Sequence, residues 1–516
     1  MAASPTSRRL AAAAAGAASA VLGAGLGELT AAVVAPAASP FAAIGSALID
    51  LAPPWAKDAA IALFGTSDKF ALLLGIAIVL VLVAAAAGLL ELWRSPWGSV
   101  VMLGFGAVGV LAAMTRADAG PLDWIPSAVA GIVAAVALRM LVKRVPAGTA
   151  SRPAESRPSA GVDRRTFIGW TAGAAAVGVL AAVGGTLLRA GASTVTAVRQ
   201  TLKLPTPAVA APPIPAGAEL DLPGLASVVT PNESFYRIDT ALIVPQLNPA
   251  EWSLRIHGLV ENEVEITWDE LLALPLEESV TTLTCVSNEV GGDLVGNAVW
   301  LGYPIRELLA RAKPTSDADM VLSHSSDGFT ASTPLEVLQD DRNAILAVGM
   351  NGEPLPAEHG FPVRMVVPGL YGYVSATKWV VELEVTRFDR ARAYWTDRGW
   401  SERGPIKLES RIDVPLRGQG LKAGDVVIAG VAWQQQVGVE GVEVQIDEGE
   451  WVPARLATAI SDDTWVQWSL AWTAEKGDHV IRCRATSKAG ELQTEDEAHP
   501  APDGATGWHW RTVSVF

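Results

Sequence analysis

The chain has 516 residues, half of them apolar and only 18% charged, with a mean hydropathy of +0.30. That excludes a disordered or collagen-like polymer and is too apolar for an ordinary water-soluble protein of this length. The formal charge of −15 is uneven: residues 1–203 carry 16 Lys and Arg against 9 Asp and Glu, residues 204–516 carry 23 against 45, and the acidic back half disfavours DNA or RNA as a partner.

In chain order, stretches free of Asp, Glu, Lys and Arg run over 10–27, 70–90, 95–115, 124–138 and 166–188. A helix needs about 20 residues to cross the hydrocarbon core, so five crossings are predicted, the fourth reaching past Arg139 toward Val142 by snorkelling. The first is Ala-rich and also fits a cleaved export signal. Residues 41–64 are interrupted by Asp50, Pro53-Pro54, Lys57 and Asp58, which predicts an interfacial helix pair in place of a sixth crossing. Glu28 fits either the interface or an intramembrane proton or quinone group. Arg8 and Arg9 precede the first crossing, and seven more Arg and Lys lie at 139–165 between the fourth and fifth, so both segments are predicted to be cytoplasmic and everything after about 190 extracytoplasmic. Arg164-Arg165-Thr166-Phe167-Ile168 reads as a twin-arginine export address or as two more positive-inside charges. All six histidines (257, 324, 359, 479, 499 and 509) lie beyond the last crossing, so the expectation is an anchor without a bis-histidine haem.

Residues 203–223 are rich in Pro and predict a stiff tether. Trp252–Ile256 alternates as a strand, Thr267-Trp-Asp-Glu270 is a capping box opening a helix through Leu274, and Thr333-Pro334-Leu-Glu336 repeats that signature. Ile345–Met350, Val363–Val367 and Lys378–Val385 read as strands, with a tight turn at Asn351-Gly352. From about 424, short strands (Val426–Trp433, Val442–Ile446, Thr464–Trp472, His479–Ala485, His509–Val515) predict a second, all-β sandwich whose Trp residues serve packing. The organisation is therefore multi-domain: an all-α membrane bundle of about five helices over 1–190, a Pro-rich linker over 191–222, an α+β domain over 223–392, and an immunoglobulin-like sandwich over 393–516.

There are two cysteines. Cys483 alternates with Ile481 and Ala485 as a buried strand residue. Cys285 stands where Val280-Thr-Thr-Leu-Thr opens into Val286-Ser-Asn-Glu-Val-Gly-Gly-Asp, a place for a metal or cofactor ligand or a nucleophile. A bridge between the two cysteines stays open. His324 and His359 are candidate bases by type alone, and zinc lacks further ligands at usual spacings. A soft metal held mainly by a non-protein ligand needs one thiolate.

Together, Thr230-Pro-Asn-Glu-Ser-Phe-Tyr-Arg237, Thr284-Cys285-Val-Ser-Asn288, Trp300-Leu-Gly-Tyr-Pro304, the run Asn351 to Gly372 and Ser375-Ala-Thr-Lys378-Trp379 resemble the sulfite oxidase fold family of molybdenum-cofactor enzymes, in a membrane-anchored bacterial form. The resemblance implies molybdenum bound by one pterin dithiolene (molybdopterin) and by the Cys285 thiolate. It implies that His359, Arg364, Lys378 and the backbone of Ser375, Ala376 and Thr377 grip the pterin and its phosphate, and that Asn232, Tyr236 and Arg237 lie against it. Ser325 matches a hydroxyl position of related sulfoxide reductases, and the back module matches the family's dimerisation sandwich, which leaves a homodimer open. The implied activity is oxygen-atom transfer outside the cytoplasm with a small-molecule oxo-donor or oxo-acceptor, electrons passing to or from a separate electron-transfer protein or quinone-linked partner, and lipid around the anchor. Sulfite oxidases carry arginines shortly after the ligand cysteine. Here Asn288-Glu289-Val290 stands there, so an S- or N-oxide is favoured, with sulfite oxidation and a non-catalytic tethered scaffold as alternatives.

Overall fold

The computed structural model describes residues 4–36, 38–53, 63, 68–116, 119–145, 164–191 and 194–516. Contacts divide the chain into a unit of Met1–Thr194 with Ala241–Gln246 and a unit of Val195–Thr240 with Leu247–Phe516.

The first unit is helical: α1 Pro5–Val34, α2 Pro40–Leu51, α3 Asp68–Trp93, α4 Trp97–Met114, α5 Trp124–Val142 and α6 Arg164–Gly191. Five of them are long and apolar enough to cross a membrane. The twelve-residue α2 is too short to do so. Its expected partner over 53–64 falls almost wholly outside the described residues, as does most of the basic segment between α5 and α6. α1 starts at an N-cap, Ser4 Oγ accepting from Ser7 N–H at 3.2 Å with Pro5 in the first turn. It is the hub of the bundle, because its small residues let backbones meet. A Cβ on Gly25 would overlap the Gly178 carbonyl of α6, and one on Gly16 the Ala84 carbonyl of α3. In lipid, which supplies no hydrophobic drive between helices, close packing of this kind would be what holds them. Glu28 is buried, its carboxylate accepting from Ser39 Oγ at 2.7 Å and pairing with Arg189 at 2.5 Å.

In the second unit, helix α7 (Thr194–Thr201) leads into the Pro-rich stretch, which is laid on a sheet rather than standing free. Ala208 N–H bonds Leu276 O at 2.7 Å and Glu278 N–H bonds Val209 O at 2.8 Å. Two sheets follow, the first mixed and the second antiparallel. The first has the order β2-β1-β10-β5-β6, from β1 Ser253–Gly258, β2 Val264–Thr267, β5 Met320–Ser325, β6 Thr330–Pro334 and β10 Val380–Thr386. The second has the order β3-β4-β7-β8 with β9 on β7, from β3 Glu277–Thr284, β4 Val295–Pro304, β7 Ile345–Met350, β8 Glu353–Pro354 and β9 Arg364–Val366. Short helices α8 Trp268–Leu272, α9 Ile305–Ala312 and α10 Leu335–Gln339 connect them. The capping box at Thr267 and Glu270 is present. The second expected box is not: Thr333 remains in β6 and its hydroxyl donates to Val374 O at 2.6 Å, because strand pairing with Val321 claims its backbone.

Downstream lie β11 Glu409–Val414, β12 Gly420–Leu421, β13 Gly424–Trp433, β14 Val439–Ile446, β15 Val452–Pro453, β16 Arg455–Leu456, β17 Val466–Ala474, β18 Gly477–Ser487 and β19 His509–Val515. They form two sheets, β11-β13-β17-β16 and β12-β19-β18-β14-β15. Alternate residues of both (Ile412, Ile428 and Trp468 with Val444, Ile481 and Val513) share one core, the two-layer solution for half-buried strands. Cys483 is fully buried there and both cysteines are free.

Candidate functional site

Cys285 is the first residue past β3. Its N–H donates to Leu294 O at 2.9 Å and Asn288 N–H donates to Cys285 O at 3.1 Å, while Leu294 N–H donates to Asn288 Oδ1 at 2.9 Å. These bonds close the mouth of the 285–294 loop around a buried sulfur. Burial pushes the thiol up, against hydrogen bonds from Ser287 and the charge of Lys378. The outer side of the loop is seated on the β module: Asn288 Nδ2 donates to Glu409 Oε2 at 3.4 Å and Arg411 Nη1 to Gly292 O at 2.8 Å. Gly291 has φ +76°, and a Cβ on it would overlap the His509 ring. Glu289 is exposed, so its carboxylate does not line a buried pocket.

Arg364 opens β9 with its side chain buried. Its guanidinium donates only to the carbonyls of Met365, His359 and Ala376, at 3.3, 3.1 and 3.4 Å, and lies 5.1 Å over the Trp300 ring. It has no carboxylate partner among the described residues. Burial lowers it to about 10. Lys378 is also buried, its ammonium 2.7 Å from Asp239 Oδ2 and 3.0 Å from Glu358 O. Burial pulls it down to about 8 against the pull of Asp239. Arg237 pairs with the same carboxylate at 2.8 Å. Tyr236 is pushed above its ordinary range by burial, with Cys285 adding and Arg364 opposing, which brings Tyr236, Cys285 and Arg364 into one electrostatic neighbourhood.

His359 ends a 3-10 turn (Ala357–His359) and is buried. Its Nε2 lies 3.1 Å from Asn232 O. Only a donor can bond a carbonyl, so Nε2 carries the proton and Nδ1 is bare. Burial, then Arg364 and Lys378, press it down to about 4. The Asn232 side chain is engaged elsewhere, with Met350 O, Glu353 Oε1 and Asn351 Nδ2. Ser375 Oγ donates to Tyr371 O at 2.9 Å and Thr377 Oγ1 meets Ser323 Oγ at 2.7 Å. The Ser375-Ala376-Thr377 stretch thus has its hydroxyls tied inward, and the N–H groups of Ser375 and Ala376 donate to Gly372 O at 3.3 and 2.9 Å. A Cβ on Gly372, at the head of that turn, would sit 3.9 Å from Thr284 O, so the turn flanks the strand end that carries Cys285. Ser325 ends β5, its hydroxyl accepting from Asp327 N–H at 3.4 Å. Asp327 is raised by burial, with Asp239 adding to that and Lys378 opposing it. His324, on the alternate face, lies 3.9 and 3.7 Å from Glu382 and Glu384.

The sequence-predicted residues Cys285, Tyr236, Arg364, Lys378 and His359 come together. Arg237 joins through Asp239, Ser325 through Asp327, whose carboxyl feels Asp239 and Lys378, and Asn232 contributes its carbonyl. Asp239, Trp300, Asn288 and Glu409 were not anticipated as site residues. Asp239 was legible in principle, since Arg237-Ile-Asp239 in an extended stretch puts both charges on one side.

Residues 241–395 match the model of the oxidoreductase molybdopterin binding domain. The chain is 29% identical over 326 residues to mitochondrial sulfite oxidase of Drosophila melanogaster, covering 52% of this chain and 56% of the relative; it spans little more than half the length of such relatives. An uncharacterized oxidoreductase of Bacillus subtilis, YuiH, is 31% identical over 180 residues, 34% of this chain and 87% of its own. This chain is an oxidoreductase of the sulfite oxidase family. Among solved structures, the sulfane dehydrogenase SoxCD of Paracoccus pantotrophus aligns over 55% of this chain and 81% of its own, with 24% identity and a TM-score of 0.49.

A sulfite oxidase family enzyme implies a molybdenum–pterin cofactor, and the donors present fit one. A single buried thiol suits a metal whose other soft ligands come from the pterin. A buried guanidinium satisfied only by carbonyls has its fork free of any carboxylate, as a phosphate requires.

Proposed function

We propose that this chain is a membrane-anchored molybdenum enzyme that transfers an oxygen atom to or from a small sulfur or nitrogen compound outside the cytoplasm. The observation that carries the proposal is Arg364, a buried cation with no carboxylate, in the neighbourhood of the buried Cys285. In this reading Cys285 supplies the metal thiolate. Arg364, Lys378 and the 375–377 backbone hold the pterin phosphate, and His359 offers its bare Nδ1 to the cofactor. The cofactor, when bound, supplies two-electron oxygen-atom chemistry. The chain's own residues bind it, orient it and exclude water, with Trp300 as the apolar floor beneath Arg364.

The anchor is assigned to the five apolar helices, with the N-terminus cytoplasmic by the distribution of Arg and Lys. Arg164-Arg165 at the start of α6 fits a twin-arginine address, which suits a domain loaded with cofactor before export. The module over 393–516 is taken as immunoglobulin-like. Electrons pass to or from a separate carrier or a quinone-linked partner.

A neutral S- or N-oxide is favoured because, with Arg364 and Lys378 given to the pterin phosphate, the cations left for a substrate are paired: Arg237 with Asp239 at 2.8 Å and Arg411 with Asp413 at 2.6 Å. Sulfite is the second reading, favoured by the sulfite oxidase relatives and by the exposure of Glu289. Molybdenum and pterin analysis of detergent-extracted protein tests the central claim, with about one molybdenum per chain expected. Cys285→Ser should abolish turnover while leaving the fold intact, and an active serine variant would sink the ligand assignment. Parallel assays with sulfite plus an artificial acceptor, and with sulfoxides or N-oxides plus reduced dye, separate the two substrates.

A further inference from the structure

Glu409 stands at the start of β11, 3% exposed, with one hydrogen bond among the described residues, from Asn288 Nδ2, and no ion pair. The cations nearest it are committed elsewhere. Lys407 Nζ pairs with Asp503 Oδ1 at 2.9 Å and donates to Gly504 O at 2.7 Å, and Arg411 pairs with Asp413 while donating to Gly292 O. The Tyr371 phenol accepts from Lys407 N–H at 3.4 Å and, besides its burial, feels Glu409, Asp503 and Cys285. His509 is engaged through Nδ1, which accepts from Ile412 N–H at 2.9 Å. A buried carboxylate that no cation neutralises is costly, so its low-energy state is the neutral acid. The carboxyl is accordingly raised to about 8, chiefly by burial.

We propose that Glu409 is a proton-holding positioning residue of the Cys285 loop, taking one proton from solvent when one electron reaches the centre that the loop carries. Above about pH 8, where the resting carboxyl is ionised, that step turns a carboxylate into a carboxylic acid, and the electron, delivered by the partner or by a reduced dye, stays at the centre. The connection is the Asn288 amide: its nitrogen donates to Glu409 while its oxygen and its backbone N–H close the loop on Leu294 and Cys285. Only the electron rests on the molybdenum reading; the proton site does not.

The test uses the full-length holoprotein in detergent, as wild type, Glu409→Gln and Asn288→Ala. A neutral buried acid stabilises the fold at low pH and loses that advantage as pH rises through its folded value. The Gln variant should therefore gain roughly 5 °C in melting temperature on wild type between pH 5 and pH 8 and level off above. Above about pH 8 the midpoint potential of wild type should fall more steeply with pH than that of Glu409→Gln, and below it the two slopes should agree. Melting curves that stay parallel across pH, or potentials that do, overturn the proposal even if molybdenum is present. A protein without molybdenum that still shows the melting divergence keeps the proton site and defeats the metal reading. If Glu409→Gln does not fold, Asn288→Ala removes the bond that favours the carboxylate and should move the wild-type break to higher pH. An unmoved break overturns the proposal.

Discussion

The helical unit and the sheet-rich unit solve opposite packing problems. In the bundle, Gly16, Gly25, Gly88 and Gly178 bring helix backbones into contact, and large apolar side chains such as Leu82, Leu111 and Leu180 face outward. In the sheet unit, the largest side chains, Trp300, Trp379, Trp433 and Trp468, are the ones fully buried. Water drives large apolar groups inward and lipid would not, so the inverted pattern of the bundle is the one expected of helices that cross a membrane. The buried carboxylate Glu28 of the bundle is paired with Arg189, whereas buried Arg364 of the sheet unit has no carboxylate partner among the described residues.

The strongest way to break this contrast is Gly25→Leu. A large side chain would have to occupy the position of the Gly178 backbone, so α1 should leave α6 and the detergent-extracted protein should lose monodispersity, read by size-exclusion chromatography; a monodisperse variant with wild-type melting would refute the hub role of α1. Next, Trp300→Ala should cost about 3–5 kcal/mol of stability and, because the ring lies under Arg364, also lower molybdenum retention. Melting combined with metal analysis separates that double loss from a plain cavity effect. A smaller effect concerns His509, which burial presses down to about 4. Its folded value lies below its unfolded one, so its contribution is complete above about pH 6.5 and is lost as pH falls toward 4. His509→Asn should flatten part of the acid limb of a melting-temperature profile. The smallest is Arg255→Ala: the exposed pair with Glu263 should be dispensable, with no resolvable change in melting temperature.

Much of this was legible from residues alone. Hydropathy located the five long apolar helices, because a 20-residue apolar run has few alternatives; alternation located β1, and short apolar runs between turn signals located β7, β10 and most of the sandwich strands. The motif residues Cys285, His359, Arg364 and Lys378 do converge. What the sequence hid was contact between distant positions. Nothing near 239 announces that its carboxylate will hold Lys378, and nothing near 409 points to Asn288. β4 was missed because it is buried on both faces, so its pattern Val-Gly-Asn-Ala-Val-Trp-Leu-Gly-Tyr-Pro carries no period of two. Thr333 was misassigned because a capping signature is local, whereas the sheet partner that overrode it lies twelve residues upstream.

The 285–294 loop is braced by Glu409, Arg411 and His509, residues more than a hundred, and in one case more than two hundred, positions downstream. Its shape is therefore finished only after a long stretch of later chain has folded. During biosynthesis, a loop that is not yet braced would delay metallation until the back module is complete, so that loading with molybdenum would serve as a quality check on the whole soluble half.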